Sequence, residues 1–383
     1  MLLRFGAKNY LSFKEGFEIS LESNPNYPGN VHEGSNISNV ICIVGPNASG
    51  KSNAIKALTF ISDFCCNSFN KKPDKQIGIT PFFLNKEATS FFVDFLIDST
   101  YYFYEIHLTK DGILSETLER KNTRRITMFK RENNEIVYKI KELKELEKIK
   151  MRKGVSTISM AHQFEIRALE KIYEFFSRIK SNIDPYFKDI NFGDYVIELF
   201  DVTRKYKESQ ELFNFVVEKL ASFDTGISNI TIEEFKDPKG EDYLIPFFIH
   251  QIDGKEMPIS FYAESNGTKS LYSQLLYYKE ALDTGGILLL DEFDNNLHPD
   301  LLEPLVNLFL DKTTNLKNAQ LIFTTHNTKI MDRLTKYRVV LVNKKDNESF
   351  LYRLDEIPGN ILRNDRSIES VYATGRIGGK PKI

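Results

Sequence analysis

The sequence predicts an α/β protein built on a mixed or parallel sheet, with an antiparallel β subdomain and an inserted helical lobe. Three observations predict it. Val40-Ile41-Cys42-Ile43-Val44 is a short apolar, largely β-branched run that ends at Gly45-Pro46 and leads into a helical pattern, as a strand buried on both faces does. From Ser90 to Tyr138 apolar and polar residues alternate, the period of an antiparallel meander. From Gly267 to Val342 apolar runs and helical stretches take turns, the order of a parallel sheet with helical crossovers.

Taken in order, Leu2–Arg4 and Phe17-Ile19-Leu21 read as two strands, followed by a loop at Asn24-Pro25-Asn26-Tyr27-Pro28-Gly29-Asn30. The helix after Val44 starts near Gly50 and carries Ile55, Leu58 and Ile61 at helical spacing. In the meander, Phe91, Val93, Phe95 and Ile97 form one strand; Tyr102, Tyr104, Ile106 and Leu108 form the next, closed by Lys110-Asp111-Gly112. Residues 139–220 lose turn formers and gain helix formers, as in Lys141–Lys148 and Ile166–Tyr173. A helical lobe is expected there. A second β region covers Ile230–Ile259. It is followed by a helix over Gly267–Leu282, a strand Ile287–Leu290, a helix Leu301–Leu310, a strand Gln320–Thr324, a helix Lys329–Leu334 and a strand Arg338–Val342. The expected division is 1–138 and 221–383 for the two parts of one head and 139–220 for the lobe.

Composition narrows the class. The chain has 383 residues, 41% hydrophobic and 27% charged, which excludes collagen-like and disordered proteins. A formal charge of −2 leaves no global polycation, so any DNA or RNA contact is confined to local basic patches. Cys42, Cys65 and Cys66 form no CxxC pair, in keeping with a reducing cytoplasm. No apolar run reaches the ~18 residues of a membrane span, and no export signal is evident. A cytoplasmic protein without membrane contact is expected.

The chemistry concentrates at strand ends. Gly45-Pro46-Asn47-Ala48-Ser49-Gly50-Lys51-Ser52, followed by Asn53, matches G-x-x-x-x-G-K-[ST] between a strand and a helix. Its glycines let backbone N–H groups converge on phosphate oxygens, with a helix N-terminus behind them. Lys51 is expected to reach the β/γ-phosphates and Ser52 to hold Mg²⁺. Leu288-Leu289-Leu290-Asp291-Glu292 supplies two carboxylates: Asp291 for Mg²⁺ and Glu292 to polarise an attacking water. His326, after Ile322-Phe323-Thr324-Thr325, is placed to sense a γ-phosphate. A Ser-x-Gly turn, Ser265-Asn266-Gly267, opens a helix 26 residues before Asp291 and makes a second anion-binding terminus. One nucleotide does not need two such termini from one chain. The economical expectation is that Ser265 and Gly267 bind the γ-phosphate held by another copy.

These residues together resemble the ABC-type P-loop ATPase heads of SMC, RecF and OLD proteins, and most closely compact bacterial AAA family ATPases of the RloA kind. The resemblance is carried by Phe5–Phe13, Gly45–Asn53, Glu264–Lys269, Leu290–Pro299, Gln320–Asn327 and Gly375–Gly379. It implies a homodimer sandwiching ATP, or a higher oligomer, and Mg²⁺-dependent hydrolysis with Glu292 as base. Ser265 and Gly267 then act in trans, and a loop from Asp294 to His298 joins the two sites. His298 stands where such heads usually have Asp. Gln76 is the candidate for a Gln-bearing loop. The resemblance further implies a nearby-encoded effector, a nuclease or toxin, gated in anti-phage defence. A DNA-maintenance ATPase of RecF or SMC type and a nucleotide-dependent scaffold with negligible turnover are the alternatives.

Two further features bear on nucleic acid. Residues 139–180 hold eleven Lys/Arg against six Asp/Glu, preceded by Arg120, Lys121, Arg124, Arg125, Lys130 and Arg131; such a patch can meet a phosphate backbone or simply be a solvated face. Tyr101-Tyr102-Phe103-Tyr104 could stack bases, but alternates as strand residues filling two faces do. His107, His162 and His250 lack metal-ligand companions and read as structural.

Overall fold

The computed structural model describes residues 1–23, 36–72, 75–183, 195–223, 226–236, 242–295, 297–359, 361–363 and 366–379. The loop expected at Asn24–Asn30 and Asn296 of the 294–298 loop lie outside them.

Strands β1 (Leu2–Lys8) and β2 (Phe17–Ser20) pair antiparallel. β3 (Val40–Val44) enters a different sheet, and helix α1 (Lys51–Asn67) follows it. β4 (Thr89–Ile97), β5 (Thr100–Thr109), β6 (Gly112–Lys121), β7 (Arg125–Glu132) and β8 (Glu135–Lys139) complete a seven-stranded sheet in the order β2-β1-β4-β5-β6-β7-β8. The alternation that predicted the meander places Phe91, Val93, Phe95, Tyr104, Ile106 and Leu108 in one core with α1. Tyr102 packs against that core, whereas Tyr101 and Phe103 lie under the Arg125 guanidinium.

Residues 139–220, expected as one helical lobe, are divided between two cores. Lys141–Lys148 winds in 3₁₀ turns instead of an α-helix. Its buried Leu143 and Leu146 stand three apart, and three residues per turn puts both on one face. Helices α2 (Thr157–Gln163) and α3 (Glu170–Ser177) pack on α1, with Phe175 stacked on Phe95 of the first sheet and Phe176 meeting it edge-on. The three-residue strand β9 (Ile179–Ser181) then joins the second sheet. Helices α4 (Tyr195–Glu208) and α5 (Gln210–Phe223) send Val202, Tyr206, Val216 and Leu220 into the other core.

β10 (Ile227–Lys236), β11 (Asp242–Ile252) and β12 (Lys255–Ser260) form a three-stranded antiparallel sheet. The α/β order then returns with α6 (Asn266–Thr284), β13 (Ile287–Leu290), α7 (Leu302–Leu310), β14 (Gln320–Thr324), α8 (Ile330–Leu334) and β15 (Val339–Lys345). A hairpin strand β16 (Glu348–Arg353) and helix α9 (Ile368–Ala373), neither anticipated, follow. The second sheet runs β16-β15-β3-β14-β13-β9, parallel throughout except for β16. The class is therefore α/β with a mixed sheet, as the alternating pattern implies.

Side-chain period two divides this sheet between the cores. Ile41, Ile43, Ile287, Leu289 and Ile322 face α1 and the first sheet, whereas Val40, Cys42, Leu288, Leu290 and Phe323 face the helices of the other side. Gln320 rivets the two sheets. Its buried amide accepts from Leu2 N–H at 2.7 Å and donates to Leu2 C=O at 2.9 Å, so one side chain stands in for a strand neighbour.

A candidate nucleotide-phosphate site at the carboxyl edge

The register of the parallel sheet decides where the predicted residues meet. Cys42 and Ile43 of β3 lie beside Phe323 and Thr324 of β14, and Leu290 of β13 beside Phe323. The loops that leave the carboxyl ends of these three strands therefore emerge along one edge. They are Gly45–Lys51, Asp291–Asp294 and Thr325–Asn327. Such an edge, at the reversal between neighbouring strands, is where open α/β sheets bind ligands.

The 45–52 loop is shaped by close approach. A Cβ on Gly45 would stand 2.3 Å from Val342 O. Gly50, the residue before α1, has φ +112°, and a Cβ there would meet Ser349 Oγ at 2.6 Å and Ser12 Oγ at 2.8 Å. Only glycine meets both demands. Pro46 is half-buried, and Asn47 and Ala48 are exposed at the tip. Lys51 is buried, its Nζ donating to Gly45 O at 2.8 Å and Pro46 O at 3.2 Å. Burial pushes its ammonium below the usual lysine range, while the carboxylates of Asp291, Glu292 and Asp294 pull it back upward. The lysine of one loop thus feels the carboxylates of the next. Ser49 Oγ is buried without a hydrogen-bond partner. A cradle closed to side chains, a buried cation and an orphaned hydroxyl fit a phosphate-bearing ligand. Ser52, in the first turn of α1, and Asp291, at the end of β13, offer the oxygen donors that Mg²⁺ takes.

Asp291 and Glu292 are held by a residue the motif reading passed over. Thr324 Oγ1 donates to Asp291 Oδ1 at 2.6 Å and accepts the Glu292 N–H at 2.8 Å. One hydroxyl fixes both acidic residues. Glu292 has φ +48°, an uncommon conformation for a residue with a Cβ, and its side chain is exposed. Asn182, just past β9, clamps the same peptide from the other side: its Nδ2 donates to Asp291 O at 2.9 Å and its Oδ1 accepts the Asp291 N–H at 2.8 Å. His326 is exposed, and its backbone N–H donates to the Asp294 carboxylate at 3.2 Å. Ser265 caps α6, accepting from Thr268 N–H at 3.1 Å, with Gly267 in the first turn. Its neighbour Glu264 is bonded to His250 at 2.5 Å. Exposed Ser265 belongs to a different surface element from the 45–52 loop.

A family model described as "AAA domain, putative AbiEii toxin, Type IV TA system" matches residues 40–332. The chain belongs to this family. The matched span takes in the 45–52 loop, Ser265, Asp291, Glu292 and His326, and ends before β15 and β16. No curated protein matches the chain in sequence. Among solved structures, an SMC head bound to the C-terminal winged-helix domain of ScpA is 15% identical. That alignment covers 92% of this chain and 96% of the other, with a TM-score of 0.46. The recombination mediator protein RecF of the RecFOR pathway is 12% identical, with 92% and 98% covered and a TM-score of 0.36.

Within this AAA domain, other expected positions are corrected. Gln76 does not approach the 45–52 loop. It bonds Asp111 at 3.1 Å and sits beside Phe64 and Ser68, the far end of α1, about 20 Å along the helix axis from Lys51. Part of the anticipated basic patch is paired locally: Arg120 with Glu142, Arg125 with Glu119, Lys130 with Glu132 and Lys139 with Glu147. Arg131 is fully buried, paired with Glu116. His107, His162 and His250 each pair with one glutamate, and no cluster of three metal-ligating side chains occurs among the described residues. No described helix is long and apolar enough to cross a membrane.

Proposed function

We propose that this AAA domain is an ABC-type ATPase head that binds ATP with Mg²⁺ at the 45–52 loop and works as a head-to-tail homodimer. The observation that carries the reading is the convergence of that loop, Asp291–Asp294 and Thr325–His326 on one sheet edge, with buried Lys51 under the field of the three carboxylates. ATP, when bound, supplies the phosphoanhydride to be cleaved. The backbone N–H groups of the loop and Lys51 orient its phosphates, Ser52 and Asp291 hold the metal, and Glu292 takes the proton of the attacking water. Thr324 holds the Asp291 carboxylate and the Glu292 backbone in place during that transfer. His326 reports on the γ-phosphate, its backbone tied to Asp294. Ser265 and Gly267, exposed or half-exposed at the start of α6, complete the site of a second copy. The head is formed by 1–138 and 221–383, with β9 and Asn182 of the 139–220 segment joining its sheet and its site.

A dimer made and unmade by ATP is a gate, and we assign the gate to an effector protein, a nuclease or toxin, in bacterial anti-phage defence in a cytoplasmic setting. The pairing of Arg120, Arg125 and Lys130 with neighbouring carboxylates supports a protein partner over DNA at the β6–β7 hairpin. Glu292→Gln tests the reading. It is expected to abolish hydrolysis while retaining ATP binding and an ATP-dependent dimer by light scattering. Equal, negligible turnover in wild type and variant would instead make the protein a nucleotide-dependent scaffold.

A further inference from the structure

Two serines from opposite ends of the chain meet behind Gly50. Ser12 lies in the turn between β1 and β2, and Ser349 on β16 is buried and lies beyond the family-matched residues. Ser349 N–H donates to Ser12 O at 2.8 Å. Their hydroxyls are 2.7 Å apart; Ser349 Oγ is 2.5 Å from Ser49 O, and Asn53 Nδ2 is 2.8 Å from Ser12 Oγ. Proton inventory orders this set. A hydroxyl has one hydrogen, and a carbonyl can only accept. The Ser349 hydroxyl must therefore donate to Ser49 O, leaving Ser12 to donate to Ser349 and to accept from Asn53. The result is a one-way chain from the first turn of α1, through two serines, to a carbonyl of the 45–52 loop. Bonds in such a chain polarise one another.

From this we infer that Ser349 is a positioning residue for the phosphate loop, with Ser12 its support. In a trans peptide, C=O and N–H point in opposite directions. Holding the Ser49 carbonyl outward against β16 therefore turns the Gly50 N–H inward, toward the concave face of the loop. Gly50 is the hinge at which this peptide could otherwise rotate, since its positive φ reflects the freedom of a residue without a Cβ. The hairpin β15–β16 thereby sets the aim of one phosphate donor. The inference rests on the reading of 45–52 as the phosphate site.

Binding of a fluorescent ATP analogue to the full chain tests it, with Lys51→Ala as the control for the site itself. Ser349→Ala is expected to raise Kd about tenfold, Ser12→Ala by less, and Ser349→Thr, which keeps the hydroxyl, to restore much of the affinity. The ligand-free melting temperature of Ser349→Ala should stay within a few degrees of wild type. Unchanged Kd in Ser349→Ala, while Lys51→Ala loses binding, overturns the inference and leaves the site standing. A large fall in melting temperature with unaltered Kd well below it also overturns it, making Ser349 structural only. Absence of ATP binding in wild type overturns the underlying reading, and the inference with it.

Discussion

Thr324→Val is the sharpest test of how the carboxylates are held. Valine keeps the shape of the side chain and removes its oxygen. In a fully buried position, that loses the 2.6 Å bond to the Asp291 carboxylate and leaves the Glu292 N–H without its 2.8 Å acceptor. A hydrogen bond to a charged group contributes about 1.5–3 kcal/mol, and an orphaned buried donor costs about 1–3 kcal/mol. Allowing for partial relaxation, about 3 kcal/mol is at stake. If it is felt in the transition state, with about 1.4 kcal/mol per tenfold, kcat for ATP hydrolysis falls by about a hundredfold. Affinity for ATP should change little, because the 45–52 loop is separately held. The assay is steady-state ATPase with Thr324→Ser as control, well below the melting transitions of all three proteins. A Thr324→Val kcat within about threefold of wild type would refute the reasoning.

Three other predictions concern the dimer, the core and the thiols. Ser265→Arg should abolish ATP-dependent dimerisation while each monomer still binds ATP; an intact dimer on a sizing column would remove Ser265 from the in-trans role. Glu116→Ala should lower the unfolding free energy by about 3–5 kcal/mol. It strands Arg131, whose guanidinium burial already pushes below the usual range, and unbinds Tyr104 OH and Thr157; a loss under about 1 kcal/mol by urea unfolding contradicts this. Burial raises the Cys66 thiol from 9.0 to about 12 and the Cys42 and Cys65 thiols well above the ordinary range. At pH 8 all three should resist a thiol reagent in the native state and react after unfolding. Because the folded state keeps a proton that the unfolded state releases, this contribution to stability is full below about pH 9 and drains away as pH rises toward about 12; a pH series of unfolding midpoints rising over that range would contradict it.

The parts of the site read most directly from the sequence are those in which one segment carries its own geometry. Gly45–Ser52 announces a tight loop before a helix, and Leu288–Glu292 an apolar strand ending in carboxylates. Asn182 was not legible because β9 has three residues, one of them apolar, and is a strand only by pairing with β13. The stretch around His326 was legible as a strand end, but the hydroxyl two residues earlier makes the bond to Asp291. Gln76 lies away from the 45–52 loop because the seventeen residues of α1 run between them.

By itself, then, the sequence determined the α/β class, the two faces of each central strand and which residue types stand at the strand ends. Each follows from local periodicity or from what glycine, lysine and carboxylate can do. Only the tertiary structure decided which strand ends are neighbours, how 139–220 is shared between two cores, and that Ser12 and Ser349, 337 residues apart, close on one loop. Hydrogen-bond partners so far apart depend on strand order, and a periodic pattern records which face a residue turns inward without recording which strand lies beside it.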